Sequence, residues 1–261
     1  MQNRSTHGPL ILAALAIAAS LPILEAHADE HDEWDITLGV GAASIPKYPG
    51  SDEQKARLLP VVSVRYGRFF VGGDSDGVGV NLIEDEHWRA GVIASFGAFK
   101  PRKESDDLRL HGLGDIDSTP RLGSFVSYTQ SWLTASAAVS SDVGGNRQGT
   151  LATLSLAARW QATPQLLLTA GPSITWANGQ YMQTFFGIDE EQALHSGLPQ
   201  YRPGGGVANI GLRVGANYRF NQHWGFGVSA STAQLQGDAK DSPITQDKTQ
   251  STIVAFAAYH F

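Results

Sequence analysis

The chain has no cysteine among its 261 residues, which excludes disulfide staples, thiolate metal sites and cysteine nucleophiles. Long apolar runs are also missing beyond the N-terminal region. No later segment approaches the roughly 18 consecutive apolar residues that mark a spanning helix. Basic residues are outnumbered, with 19 Lys and Arg against 25 Asp and Glu. A net charge of −6 argues against a nucleic-acid partner, because phosphates reward clustered Lys and Arg. Without cross-links, stability has to come from the fold itself.

The N-terminus carries an export pattern. Arg4 gives a positive start, residues 9 to 24 are almost wholly apolar or small, and Ala26-His27-Ala28 fits a small-x-small cleavage site. A retained anchoring helix is the alternative, but the uninterrupted apolar part, Leu10 to Ala19, falls short of the roughly 20 residues a span needs. Residues 1–28 are therefore expected to be a cleaved signal peptide and 29–261 the mature domain. Removing the signal takes away Arg4 and Glu25, so the mature charge stays at −6.

The mature chain is rich in glycine, with 29 in the whole sequence, and holds 6 tryptophans. Its dominant pattern is a strict period of two, the signature of half-buried strands. From Ala208 to Asn221 one face reads Ala208, Ile210, Leu212, Val214, Ala216, Tyr218 and Phe220. The other holds Asn209, Gly211, Arg213, Gly215, Asn217 and Arg219. Arginines and asparagines among glycines make a poor packed core but suit a wet interior. Similar segments are 34–43, 88–99, 151–161, 166–177, 224–235 and 252–261, with weaker ones at 58–66, 68–73, 77–84, 121–130 and 131–143. The count is twelve strands.

Connections alternate in length. Gly67, Glu84 to His87, Gln130-Ser131, Ala162 to Gln165 and Asn221-Gln222 are short, whereas 46–57, 74–76, 101–120, 144–148, 178–206 and 236–249 are mostly long. Short turns on one rim and long loops on the other are expected of outer-membrane barrels. Trp34, Tyr66, Phe69, Trp88, Tyr128, Trp132, Trp160, Tyr218, Phe220, Trp224, Tyr259 and Phe261 gather at the short-turn ends, as an interfacial girdle would. The sequence thus predicts an all-β, closed antiparallel transmembrane barrel of about twelve strands with long extracellular loops, in a Gram-negative outer membrane and facing its lipids. A secreted β-sandwich also alternates, but it has no reason to place aromatics on one rim.

Chemical motifs are sparse. His111 and His195 fall in long loops, Ser196 is merely adjacent to His195, and there is no G-x-S-x-G elbow, so no catalytic residue is expected. Asp74-Ser75-Asp76-Gly77 and Asp115-Ile116-Asp117 offer oxygens for calcium, but such Asp and Gly residues also favour tight turns. No metal or cofactor is assigned. Gly204-Gly205-Gly206 lacks the strand, G-x-G-x-x-G and helix order of a phosphate cradle and reads as loop punctuation. Asp189 to Leu194 can form a short helical turn. Loops 101–120 and 178–206 are long enough to suggest a role, either folding inward to narrow a pore or remaining outside. Arg159, Arg213 and Arg219 are the candidate lumen charges, able to favour anions or to pair with loop carboxylates.

Tyr48-Pro49-Gly50-Ser51-Asp52, Pro60, Tyr66-Gly67-Arg68-Phe69-Phe70 and Leu110 through Gly112-Leu113-Gly114-Asp115-Ile116-Asp117 together resemble the MipA/OmpV family over the whole mature chain to Phe261. The final aromatic also resembles the terminal assembly signal of outer-membrane barrels. The resemblance implies an outer-membrane barrel without enzymatic activity. It also implies a scaffold that brings a murein-cleaving lytic transglycosylase together with a bifunctional penicillin-binding synthase; other members are osmolarity-responsive surface proteins. Tyr48, Gly50, Ser51, Asp52, Gly114, Asp115 and Asp117 match motif positions. A passive channel or small-solute-binding barrel is the alternative function.

Overall fold

The computed structural model describes residues 34–73, 77–96 and 101–261. Twelve antiparallel strands close into one barrel: β1 (Trp34–Pro46), β2 (Gln54–Tyr66), β3 (Phe69–Gly72), β4 (Val78–Glu84), β5 (Trp88–Phe96), β6 (Pro120–Gln130), β7 (Leu133–Asp142), β8 (Thr150–Thr163), β9 (Leu166–Ala177), β10 (Gly206–Arg219), β11 (Trp224–Leu235) and β12 (Thr249–His260). Each strand pairs with its sequence neighbours, and β1 pairs with β12 from Thr37 opposite His260 to Ser44 opposite Ile253. The Phe261 N–H donates to the Ile36 carbonyl at 2.9 Å at the end of this seam. Closure gives every strand a partner on both sides, so no strand is left at an open end of the sheet for water-poor surroundings to penalise.

Alternation decides which side chains meet lipid. Val40, Ile210, Leu212, Val214, Phe226 and Val228 share the outer face with Leu58, which is 84% exposed. A soluble protein would not leave such a belt to water; a bilayer makes it favourable. Short turns join one rim. Ser131 and Gly67 take positive φ there, 55° and 52°, as tight hairpins require. Asp85 accepts from the N–H groups of His87 and Trp88, and Asn221 from those of His223 and Trp224. The outward aromatics pair above these turns: Trp34 with Tyr66 at 4.6 Å, Trp88 with Tyr128 at 4.7 Å and Tyr259 with Phe261 at 4.8 Å between ring centroids. Phe96 and Trp176 are exposed at the opposite ends of their strands, so the long-loop end carries outward aromatics too.

Three features depart from the sequence reading. First, β2 begins at Gln54, not Leu58, so Lys55 and Arg57 belong to the wall. Second, Ala208 does not share the lipid face with Ile210. A register shift between Val207 and Asn209 turns Ala208 inward, where it is buried against Met182, Phe185 and Phe186. Third, the interior is not uniformly wet. Ala43, Leu59, Val61, Val254, Phe256 and Ala258 form a buried apolar patch on the inner wall of β1, β2 and β12, and the Phe256 ring lies over Gly227.

The wall is lowest at β3, which has four residues beside the thirteen of β2. Gly73 N–H still reaches the Val62 carbonyl at 3.2 Å, so backbone groups of the even-numbered β2 residues face β3. Pro60 lies on that same edge beyond the last paired residue. A residue with no N–H to leave unpaired suits such an edge.

Candidate functional site

The first, third, fifth and sixth long connections fold over the barrel mouth. In the third of them, short 3-10 turns occupy Glu104–Asp106 and Leu108–Leu110. The fifth contains α1 (Gly179–Phe186) and α2 (Glu190–Ser196), and the sixth contains α3 (Gly237–Lys240). Asp189 and Gln192 make a capping box at the start of α2, which accounts for the helical turn expected from Asp189 onward. Met182, Phe185 and Phe186 from α1, Ala239 from α3 and Ile116 pack onto the inward Ala177, Ala208 and Leu235. A neighbouring cluster joins Tyr48, Leu110, Leu113, Ile188 and Ile244. Four separate connections therefore meet in one cap, and the loops lie inward.

The motif residues are the fasteners of this cap. The Ser51 N–H bonds the Tyr48 carbonyl at 3.0 Å, closing a turn with Pro49 second and Gly50, at φ 96°, third; this is the type II pattern. Leu113 N–H to Leu110 O at 2.9 Å closes a similar turn with Gly112 at φ 80°. A Cβ on Gly112 would strike the His195 and Ser196 backbone, so the turn lies flat on the end of α2. The Tyr48 hydroxyl donates to Ile244 O at 3.4 Å; burial, then the charge of Asp107, pushes its pKa up to about 12. Ser51 Oγ both donates to and accepts from the Glu53 backbone, at 3.1 and 3.0 Å. Asp52 Oδ1 accepts from Arg109 at 3.4 Å, and Asp115 Oδ1 from the Glu104 N–H at 2.8 Å. Gly114 holds φ 73°, and the Asp117 carbonyl accepts from the Gln148 amide.

Beneath the cap lies a chamber of about 600 Å³. Lys47, Lys55 and Arg57 line its β1–β2 side, while Leu151, Phe186, Ala208 and Leu235 face them across the lumen. On the outer side of the cap is an acid-rich pocket of about 770 Å³, walled by Glu53, Glu104, Asp106, Asp107 and Asp115 together with Lys47, Arg109 and His111. Two ion pairs stand between them, Lys47 with Glu53 and Lys55 with Asp106 at 3.0 Å. Burial alone would raise the Asp106 pKa. Bonds from Lys103 N–H and Lys55, with the charges of Lys55 and Arg57, outweigh it and hold the carboxyl below its usual range.

Arg102 is 2% exposed inside the cap. Its Nη2 donates to Leu113 O at 3.3 Å, and Nε and Nη1 have no partner among the described residues. Burial pulls its pKa down to about 10, against the opposing pull of Tyr48 and Asp115.

The remaining candidates lie elsewhere. By strand register Arg159 and Arg213 stand on the lumen face, four or more residues nearer the short turns than the chamber-lining Thr153 and Asn209. Arg219 bonds the Pro164 carbonyl at 3.3 Å and so belongs to the short-turn rim. None of the three lines the chamber. Its cations sit on β2 and the first connection, in the range 46–57 that reads from sequence as a loop. Extending the alternation of 58–66 backward would have found Lys55 and Arg57. The Ser196 hydroxyl donates to Gln192 O at 2.6 Å and accepts from Leu198 N–H, fastening a helix end. Gly204 N–H bonds Asp238 at 2.7 Å, as loop punctuation would. Asp74 and Asp76 lie outside the described residues, as does the expected signal peptide.

A closed twelve-strand barrel with a lipid-facing belt, an aromatic rim and a folded-in cap defines an outer-membrane β-barrel. The family model of the MltA-interacting protein MipA matches residues 38–261, and the chain belongs to that family. It is 26% identical over 231 residues to "Putative outer membrane protein YiaT" of Escherichia coli K12, covering 87% of this chain and 91% of that one. Solved structures that align include the COG4313 outer membrane channel of Pseudomonas putida F1, with 10% identity, TM-score 0.43, and 97% and 99% of the two chains covered. The NanC porin aligns at 8% identity, TM-score 0.41, with 87% and 99% covered.

Proposed function

We propose that this barrel is a non-enzymatic scaffold of the outer membrane that brings murein-remodelling enzymes together, a lytic transglycosylase and a penicillin-binding synthase. The observation that carries the reading is the match of residues 38–261 to a family described as MltA-interacting. Geometry supports it in two ways. The cap over the long-loop mouth counts against open passage, and short turns put the opposite rim in the periplasm, where murein lies. That rim is held by side-chain bonds at Asp85, Thr163 and Asn221, and a preorganised surface loses little entropy on docking a protein. The Ser51 and Ser196 hydroxyls near the cap are engaged in backbone hydrogen bonds, which supports a role without catalysis.

A photo-cross-linker placed at Glu86, Gln165 or Gln222 tests this in cells. The expected adducts contain a lytic transglycosylase or a penicillin-binding synthase, identified by mass spectrometry, and the same probe at Leu194 on the outer loops gives none. Robust single-channel conductance in planar bilayers, with no murein-enzyme adduct from any rim position, overturns the scaffold in favour of a channel.

A further inference from the structure

The chamber under the cap has a polarity that the scaffold role does not use. Lys47, Lys55 and Arg57 line one side, and among the described residues no carboxylate lines any side. The counter-charges of the first two, Glu53 and Asp106, line the outer pocket instead. A low-dielectric recess bounded by cations concentrates field and attracts an anion. The opposite side is apolar, with Leu151, Phe186, Ala208 and Leu235. Between the two lie Thr153 and Thr175, hydroxyls 3.3 Å apart, and Asn209. These are few polar groups in a mainly apolar cavity, and about 600 Å³ falls within the range of small-molecule sites.

The register explains why the charges converge. Lys55 and Arg57 are opposite Ile45 and Ala43 on β1, and Ala43 is buried on the inner wall, so both cations point into the barrel. Across the lumen the shift at Ala208 brings a small residue inward and leaves room beside Phe186.

We propose that this chamber binds a small anionic amphiphile, its acidic head against Lys47, Lys55 and Arg57 and its flat or apolar body against Leu151, Phe186, Ala208 and Leu235. The head replaces Glu53 and Asp106 as part of the counter-charge of the lysines. A neutral analogue keeps the apolar contacts and loses the head. A cationic analogue keeps the same body and is repelled.

Isothermal titration calorimetry of the whole protein in nanodiscs, with empty nanodiscs subtracted, tests the assignment independently of any murein enzyme. The probes are 2-naphthoate, 2-naphthylmethanol and 2-naphthylmethylammonium. One 2-naphthoate is expected to bind per barrel, roughly tenfold or more tighter than either analogue, a difference of about 1.4 kcal/mol. Lys55→Gln with Arg57→Gln removes most of that preference. Because Lys55→Gln also releases Asp106, Ala233→Trp provides a second test: Ala233 lines the chamber away from both ion pairs, and the indole fills it and abolishes binding. Heat-modifiable gel mobility verifies that each variant is folded. Equal heats for all three probes on the unmodified protein, or 2-naphthoate binding that survives Ala233→Trp in a folded barrel, overturns the proposal.

Discussion

The Gly50 main-chain N–H donates to Oε1 of Gln250 at 3.0 Å, tying the first connection of the barrel to its last strand. The same amide returns a bond from Nε2 to the Ser51 carbonyl at 3.3 Å, and the Gly50 carbonyl accepts from the Gln246 and Asp247 N–H groups. One turn is thereby bound to the closing end of the sixth long connection and to the strand that follows it. Gly50 is at φ 96°, and a Cβ there would meet Thr245 at 2.8 Å. Gly50→Ala is expected to cost about 1–3 kcal/mol of local stability. Gln250→Ala should act in the same place with less strain. Hydrogen exchange should quicken at residues 47–53 and 242–248 while the strands keep their protection. Uniform protection across both segments would contradict this tie.

The Lys55–Asp106 pair holds the third connection to the wall, which gives the cap a pH dependence of known sign. Asp106 has a folded pKa below its ordinary value. Its contribution is therefore present above the ordinary carboxylate range, about 3.9, and is lost as pH falls through the depressed folded value. Limited proteolysis of residues 101–119 should be slow and flat from neutral pH down to about 5, then accelerate below about 4. Asp106→Asn should cleave faster at neutral pH and lose most of the acid response. A wild-type rate that rises between pH 7 and 6 would point to another group.

Much of the wall was legible because a lipid-facing strand writes its own period. Strands 166–177 and 224–235 match their expected bounds to the residue, and Ile210, Leu212 and Val214 all face outward. The alternation misleads where the backbone slips, since the shift at Ala208 leaves no mark in composition. It also misleads where lumen charges imitate a loop, as Lys55 and Arg57 do. The inward course of the loops was one of two open readings. Tyr48, Leu110, Ile188 and Ile244 lie in four connections, and no local period says that they will meet. Helix α1 begins with Gly179 and carries Tyr181, Phe185 and Phe186, so its apolar content reads as loop until a core exists to receive it.

Arg102 is a buried cation with two nitrogens unpartnered among the described residues, which makes it a net burden on the cap. Replacing such a charge by an apolar residue of similar length is often neutral or stabilising, by about 1–4 kcal/mol. Arg102→Met is expected to raise, or leave unchanged, the protection of residues 101–117. Loss of the cap in that variant would show that the Leu113 bond outweighs desolvation.

Phe256 and Gly227 are directly opposite in the β11–β12 register. The Phe256 ring lies where a Gly227 side chain would be, so glycine here is a seat for the ring that closes the inner patch of Ala43, Leu59, Val61 and Val254. Phe256→Ala empties that seat and should cost about 3–5 kcal/mol, the usual range for a buried phenylalanine. Gly227→Ala pushes the ring off its seat, an overpacking effect of about 1–3 kcal/mol. Once the ring is gone the added methyl has space, so the double variant should be less destabilised than the sum of the singles. Urea unfolding in lipid vesicles, monitored by tryptophan fluorescence, gives the three values. A coupling of about 0.5 kcal/mol or more is expected, and strict additivity would mean that the ring and Gly227 act independently.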